Sequence, residues 1–350
     1  MHELTYDDVK AATDRIAGRV RPVTLAPVDP GAIRTARRDR PDDGPEQSCE
    51  VWLAMEFMQH TGSFKARGAQ NFLQAHRDAG TLPDAGVTIA SGGNAGLACA
   101  WAARQQDVPA TVFLPTTAPA VKVAALRGHG AEVRLVGSEY AEALAACEEF
   151  AATGALESHA YDHPLIAAGA GTLLEEIHRQ IPGLDTVVVA VGGGGLFAGV
   201  ATAARHHGIR TVAVEPENCR ALHAAIRAGH VVDVPVDSIA ADSLGARRTS
   251  AMALAAARQD GVRSVLVPDD EIVGARQALW DHRKLAVEHG AATALAALTS
   301  FDPQDPDGDV PNHPAAASTG YRPAPGEKIA VVLCGSNTDP ADLVHRATEH

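Results

Sequence analysis

The sequence predicts a doubly wound α/β protein with mostly parallel sheets, and three observations carry that prediction. Short β-branched runs recur along the chain, longer Ala-rich stretches of helical period separate them, and several of the runs end in small polar loops. Near-continuous apolar strands alternating with helices imply sheets covered on both faces. Such sheets bind ligands beyond the carboxyl ends of their strands.

In chain order, an apolar run VWLAMEFM follows Glu50, and the clearer strand candidates are VTIAS (Val87 to Ser91), ATVFLP, AEVRLV, TVVVAV, TVAVEP, SVLVP and IAVVLC. Three of them lead directly into polar loops: VTIA into SGGNAG, VVVAV into GGGGL and VVLC into GSNTDP. Chemistry is expected there. Two segments depart from the pattern, Pro27 to Ser48 and Phe301 to Glu327, and their Pro-rich, polar composition reads as surface loops. The sheet pattern breaks off near Tyr140 and resumes near Ile166, as it would if a smaller unit were inserted in a larger one. The expected organisation is an N-terminal segment (1–50) contributing to the larger unit, a lysine-bearing region (51–165) including a smaller α/β unit at about 55–150, and the large unit at 166–350.

At 350 residues and 46% hydrophobic, the chain can bury a large core. Its net charge of -13, with only five lysines, argues against nucleic acid or an anionic membrane surface as a partner and favours a small molecule. Five widely spaced cysteines without a C-x-x-C pair point to a reducing compartment without disulfides or a zinc knuckle. No signal peptide or run of eighteen apolar residues is present, so a cytoplasmic protein is expected.

The glycine run Gly192, Gly193, Gly194, Gly195, followed by Leu196, sits between a strand and an Ala-rich helix. Glycines admit a ligand close to the backbone, and a helix start favours phosphate. The run also satisfies G-x-G-x-x-A, with Glu215 about twenty residues on, so a dinucleotide oxidoreductase is a rival reading, and a mere tight turn is the bland one. Thr61-Gly62-Ser63-Phe64-Lys65-Ala66-Arg67-Gly68-Ala69 places a lysine between an apolar run and a helix. Desolvated in a pocket, Lys65 could attack a carbonyl; on a surface it would only snorkel. Ser91-Gly92-Gly93-Asn94-Ala95-Gly96 is a turn whose amides could hold a carboxylate or phenolic oxygen, and Cys334 ends the last strand, where a free cysteine is most often core.

Together the ordered motifs T-G-S-F-K-x-R-G-A, S-G-G-N-A-G, G-G-G-G-L and C-G-S-N resemble the threonine/serine dehydratases of the fold-type-II pyridoxal-phosphate enzymes, the tryptophan-synthase-β-like superfamily. The resemblance runs from about Met55 to the C-terminus and includes HAYDHP (His159 to Pro164) and VEHGAATALAAL (Val287 to Leu298). It implies two α/β domains with pyridoxal 5'-phosphate in the cleft between them, a homodimer, and an amino-acid substrate. It further implies that Lys65 forms a Schiff base with the cofactor, Phe64 packs on the ring, and Asn94 bonds the ring hydroxyl. Gly192 to Gly195 and Leu196 would carry the phosphate, and Cys334 would face the ring nitrogen. Ser63, Ser91, Gly92, Asn94 and Ala95 would meet the substrate. The implied reaction is loss of water from L-threonine or L-serine, giving 2-oxobutanoate or pyruvate plus ammonia. A racemase or a lyase for another β-substituted amino acid is the alternative within the superfamily, and a non-catalytic binding protein is the alternative outside it. Serine racemases of eukaryotic type use a serine where this chain has Gly92.

Departures from the family pattern occur at Ala54-Met55-Glu56 and Glu288-His289-Gly290-Ala291, expected to touch the pocket's edge. Some relatives bind a cation at the position of Glu215, but the second ligand position is Ala221 here, leaving only a possible role for Glu215. With thirteen residues after Asn337, no appended regulatory domain is expected.

Overall fold

A computed structural model describes residues 4–29, 32, 48–299 and 320–346. The strands are β1 (Leu25–Pro27), β2 (Glu50–Ala54), β3 (Val87–Ile89), β4 (Ala110–Leu114), β5 (Glu132–Leu135), β6 (Leu156–Glu157), β7 (Thr186–Ala190), β8 (Arg210–Pro216), β9 (Val262–Val267) and β10 (Lys328–Val332). They form a six-stranded sheet of order β1-β2-β10-β7-β8-β9 and a four-stranded sheet of order β5-β4-β3-β6. All pairings are parallel except the edge pair β1–β2. The two sheets make the expected two-domain α/β architecture. Each of the seven β-branched runs is a strand; β3, β4, β7, β8 and β10 are buried almost throughout, as runs apolar on both faces must be, whereas the edge strand β5 stays half-exposed and β9 is buried only from Val265 on. β1 and β6, three and two residues long, are too short to show a period. β6 carries the smaller sheet past residue 150.

Strand order positions the site. β2 lies beside β10 in register Val51↔Ile329, and β10 beside β7 in register Ile329↔Thr186, so the loops leaving these three strands emerge side by side. Three helices then fix the depth of those loops. Helix Lys65–Asp78 packs on helix Pro164–Gln180, which packs on helix Gly195–His206. At both crossings backbone touches backbone. A methyl at Gly169 would lie 2.7 Å from the Arg67 carbonyl oxygen, and one at Gly171 would lie 2.6 Å from that of Gly199. Helix His289–Thr299 is apolar all round and runs through the core, with Gly290 to Leu298 buried.

The Pro27–Ser48 loop falls almost entirely outside the described residues, as do residues 301–319 of the second expected surface loop. The end of that second loop is corrected. Tyr321 and Glu327 are buried, because Thr186 and the Tyr321 hydroxyl each donate to Glu327 Oε1 at 2.5 Å and Arg210 donates to it at 2.9 Å. All five cysteines are free and buried. Among the described residues no helix is long and apolar enough to cross a membrane.

Candidate active site

After β2 the chain makes two short 3-10 turns and starts the helix at Lys65. This turn is stitched to the end of the last strand. Phe64 N donates to the Cys334 carbonyl at 3.0 Å, Ser336 N donates to that of Gly62 at 2.9 Å, and Ser63 pairs with Gly335. Lys65 therefore opens its helix beside Cys334. Its Nζ donates to the Ala160 carbonyl at 2.7 Å and lies 4.8 Å from the centroid of the Phe64 ring. Desolvation brings the Lys65 amine down to about 8, against the opposing pull of Cys334 and Glu288. Burial, reinforced by Glu288, pushes the Cys334 thiol up to about 12, so it is uncharged at neutral pH. Ser63 is fully buried and its hydroxyl has no hydrogen-bond partner.

The glycine run reaches the same place through the residue after Ala160. A side chain at Gly193 would collide with the ring of Tyr161, whose hydroxyl donates to the Arg248 carbonyl at 3.0 Å. Gly194 caps the helix at φ +93°, a conformation that strains any L side chain. Gly195 and Leu196 are buried, and Gly192 abuts the Leu244 backbone. The first N–H groups of this helix have no intrahelical acceptor, which together with its dipole suits an anion.

Ser91 to Ala95 leave β3 on the other sheet, and Asn94 opens helix Asn94–Gln105. Gly93 N donates to Ser91 Oγ at 3.4 Å. Asn94 reaches across to the larger unit: its Nδ2 lies 2.9 and 3.1 Å from the Glu288 oxygens, and its Oδ1 accepts from Asn337 Nδ2 at 2.7 Å. Lysine turn, last strand, glycine run and Asn94 loop are thus linked to one another through Cys334, the Ala160–Tyr161 segment, Glu288 and Asn337.

Two expectations change. Glu215 is fully buried, and its two oxygens accept from Leu222 N at 2.7 Å and His223 N at 2.8 Å, so it caps helix Ala221–Ala228. Burial pushes it up to about 8. It is closed to a ribose, which removes the acidic residue a dinucleotide site needs, and it is spent as a cation ligand. Among the described residues no group of three His, Cys, Asp or Glu side chains is arranged to hold a metal. Glu56 lies not at the pocket's edge but in the core, paired with the buried Arg67 at 2.6 Å. Sequence alone places Glu288 at the pocket's edge, Asn337 in the C-G-S-N motif and Ala160 and Tyr161 in HAYDHP, but assigns none of them a contact. The signals that point to them are the HAYDHP string, the acidic residue just before an apolar helix, and the last residue of C-G-S-N.

A family model for pyridoxal-phosphate dependent enzymes matches residues 29–310. The chain is 35% identical over 298 residues to an L-threonine ammonia-lyase of Geobacter sulfurreducens, covering 84% of this chain and 71% of that protein. It is 36% identical over 296 residues to a human serine dehydratase-like protein, covering 82% and 85% respectively. The solved structure of maize serine racemase matches with a TM-score of 0.81 at 26% identity, covering 100% of this chain and 98% of that one.

Proposed function

The chain belongs to the pyridoxal-phosphate-dependent enzymes, and from that premise we propose that it dehydrates L-threonine or L-serine to 2-oxobutanoate or pyruvate with release of ammonia. The donor set fits the cofactor: an amine of lowered pKa for the aldehyde, open N–H groups at a helix start for the phosphate, and an uncharged thiol for the ring nitrogen. The buried Ser63 hydroxyl, without a hydrogen-bond partner among the described residues, adds a polar group beside the lysine turn that a ligand could satisfy. When bound, pyridoxal phosphate supplies an aldehyde that captures amines and a ring that takes up electrons from the α-carbon.

In this reading Lys65 holds the cofactor at rest and, once displaced by the substrate amine, moves the proton at the α-carbon. Phe64 packs against the ring, and Asn94 directs an N–H at the ring oxygen. Gly192 to Gly195 and Leu196 hold the phosphate, while Ser63, Ser91, Gly92, Asn94 and Ala95 line the substrate's side. Cys334 gives the ring nitrogen a neutral neighbour, which limits electron withdrawal and favours expulsion of the β-hydroxyl over transamination. The observation that carries the reading is the desolvated Lys65 amine, held at 2.7 Å by the Ala160 carbonyl next to the Tyr161 ring that abuts Gly193, on a turn bonded to Cys334. A cytoplasmic setting is supported by the five free cysteines, and a homodimer by the resemblance.

The second reading is a racemase, supported by the likeness to the maize enzyme. Racemisation needs an acid/base on the opposite face of the substrate, and Gly92 offers none. A screen of β-hydroxy amino acids, read as keto acid plus ammonia and repeated with Lys65→Ala, tests the proposal. Equal rates for that variant and the wild type overturn it, and faster formation of D-serine than pyruvate replaces it with the second reading.

A further inference from the structure

Resting on that reading of Asn94, we propose that Glu288 and Asn337 are positioning residues that fix which end of the Asn94 amide faces the cofactor. The two ends of a side-chain amide have nearly the same shape, so only hydrogen-bond partners decide which one points where. Here both partners impose the same answer. A carboxylate accepts and does not donate, and both Glu288 oxygens lie within 3.1 Å of Asn94 Nδ2. Asn337 is itself oriented, because its Nδ2 donates to the Thr61 carbonyl at 2.7 Å, and the same NH₂ group donates to Asn94 Oδ1 at 2.7 Å. Turning Asn94 over would set oxygen against carboxylate and NH₂ against NH₂.

The frame around this amide is rigid. Asn337 N donates to Glu288 Oε1 at 2.9 Å, and Glu288 N donates to the Gly335 carbonyl at 3.0 Å. A methyl at Gly335 would lie 2.7 Å from Glu288 Oε2, so the carboxylate is wedged against the turn after β10. Thr61, which supplies the anchoring carbonyl, sits at φ +64°, a left-handed conformation that costs a β-branched residue energy and persists only where its surroundings hold it. Burial pushes the Glu288 carboxyl up, while Asn94 and the Asn337 amide pull it back down. Glu288, Asn337 and Thr61 belong to segments built on the larger sheet, whereas Asn94 follows β3 of the smaller one. The larger unit thereby sets the donor that the smaller unit presents. With Oδ1 taken by Asn337 and one proton facing Glu288, the second amide proton is left for the ring oxygen.

Two isosteric variants test this. Glu288→Gln replaces one of the two oxygens facing Asn94 Nδ2 with an NH₂ and removes the charge, and Asn337→Asp puts an acceptor against Asn94 Oδ1. Each is compared with Asn94→Ala by titrating apoprotein with pyridoxal phosphate, by the visible absorption band of the loaded protein, and by thermal melting. Both variants are expected to fold, to bind the cofactor about tenfold more weakly, the loss of one charge-assisted hydrogen bond, and to move the band in the direction that Asn94→Ala moves it. Combined with Asn94→Ala, neither should add a further change. Wild-type affinity and band in either variant, full additivity with Asn94→Ala, or a drop in melting temperature without any change in the band each overturn the proposal. A wild-type protein that takes up no pyridoxal phosphate, or releases no keto acid, overturns instead the reading of the site on which it rests.

Discussion

In the proposed function Lys65 acts through a pKa that burial lowers. Only the neutral amine attacks an aldehyde, so with Lys65 at about 8 the rate at which apoprotein captures pyridoxal phosphate should rise with pH and level off above that point. A capture rate still climbing up to about 10.4, the value of a free lysine, would show that the amine is not desolvated. The same shift carries a sign for stability. Between about 8 and 10.5 the unfolded chain binds this proton and the folded one does not, so Lys65 makes stability rise with pH in that window, and Lys65→Ala should remove the rise in urea melts. Gly92 offers a second test at this scale. A methyl there would meet only the flexible end of Leu114, at 3.0 Å, so serine can be accommodated. Gly92→Ser is expected to raise conversion of L-serine to D-serine several-fold relative to pyruvate, measured by chiral chromatography. An unchanged ratio would mean that this loop position does not reach the α-carbon.

At the scale of the element, Glu215 shows how a residue at a strand end can be claimed by the next helix. Its carboxylate satisfies two of the orphan N–H groups at the start of Ala221–Ala228. Glu215→Ala should therefore cost about 1–3 kcal/mol through the buried amides it leaves unpaired, read as a lower urea midpoint, while cofactor affinity stays close to wild type. Sequence alone places Glu215 at the end of TVAVEP but says nothing of which way it turns, which is why ribose and cation roles remained open there. The strands were legible because VTIAS, TVVVAV and IAVVLC must be apolar on both faces. The four loops linked to Lys65 were legible as candidates because small polar residues in fixed order at strand and helix ends are unusual in the sequence. Glu288 and Asn337 were not legible as partners of Asn94, since a contact 194 residues apart in the chain leaves no local pattern. Tyr321 and Glu327 were hidden for the same reason, because their burial depends on Thr186 and Arg210 arriving from other strands.

For the molecule as a whole, the helix that carries Lys65 is moored by a guanidinium with no exposure to solvent. Arg67 meets Glu56 at 2.6 Å from one side and Glu176 at 2.7 Å from another, joining the lysine helix to the turn after β2 and to helix Pro164–Gln180. Removing the cation leaves both Glu56 and Glu176 without their partner and forces the buried Glu56 to take up a proton, so Arg67→Met is expected to destabilise the fold by about 3–5 kcal/mol, measured by urea unfolding at neutral pH. A loss below about 1 kcal/mol would place this pair among the weak surface bridges instead. The glycine crossings that join this helix, through Pro164–Gln180, to the helix of the glycine run have a different consequence. Where carbonyl oxygens already rest on α-carbons, no void is left to collapse. Under hydrostatic pressure the looser, side-chain-filled layers should compress first, while the separation between the Lys65 helix and the start of the glycine-run helix barely changes, so cofactor retention should outlast the first compressive changes elsewhere in the protein.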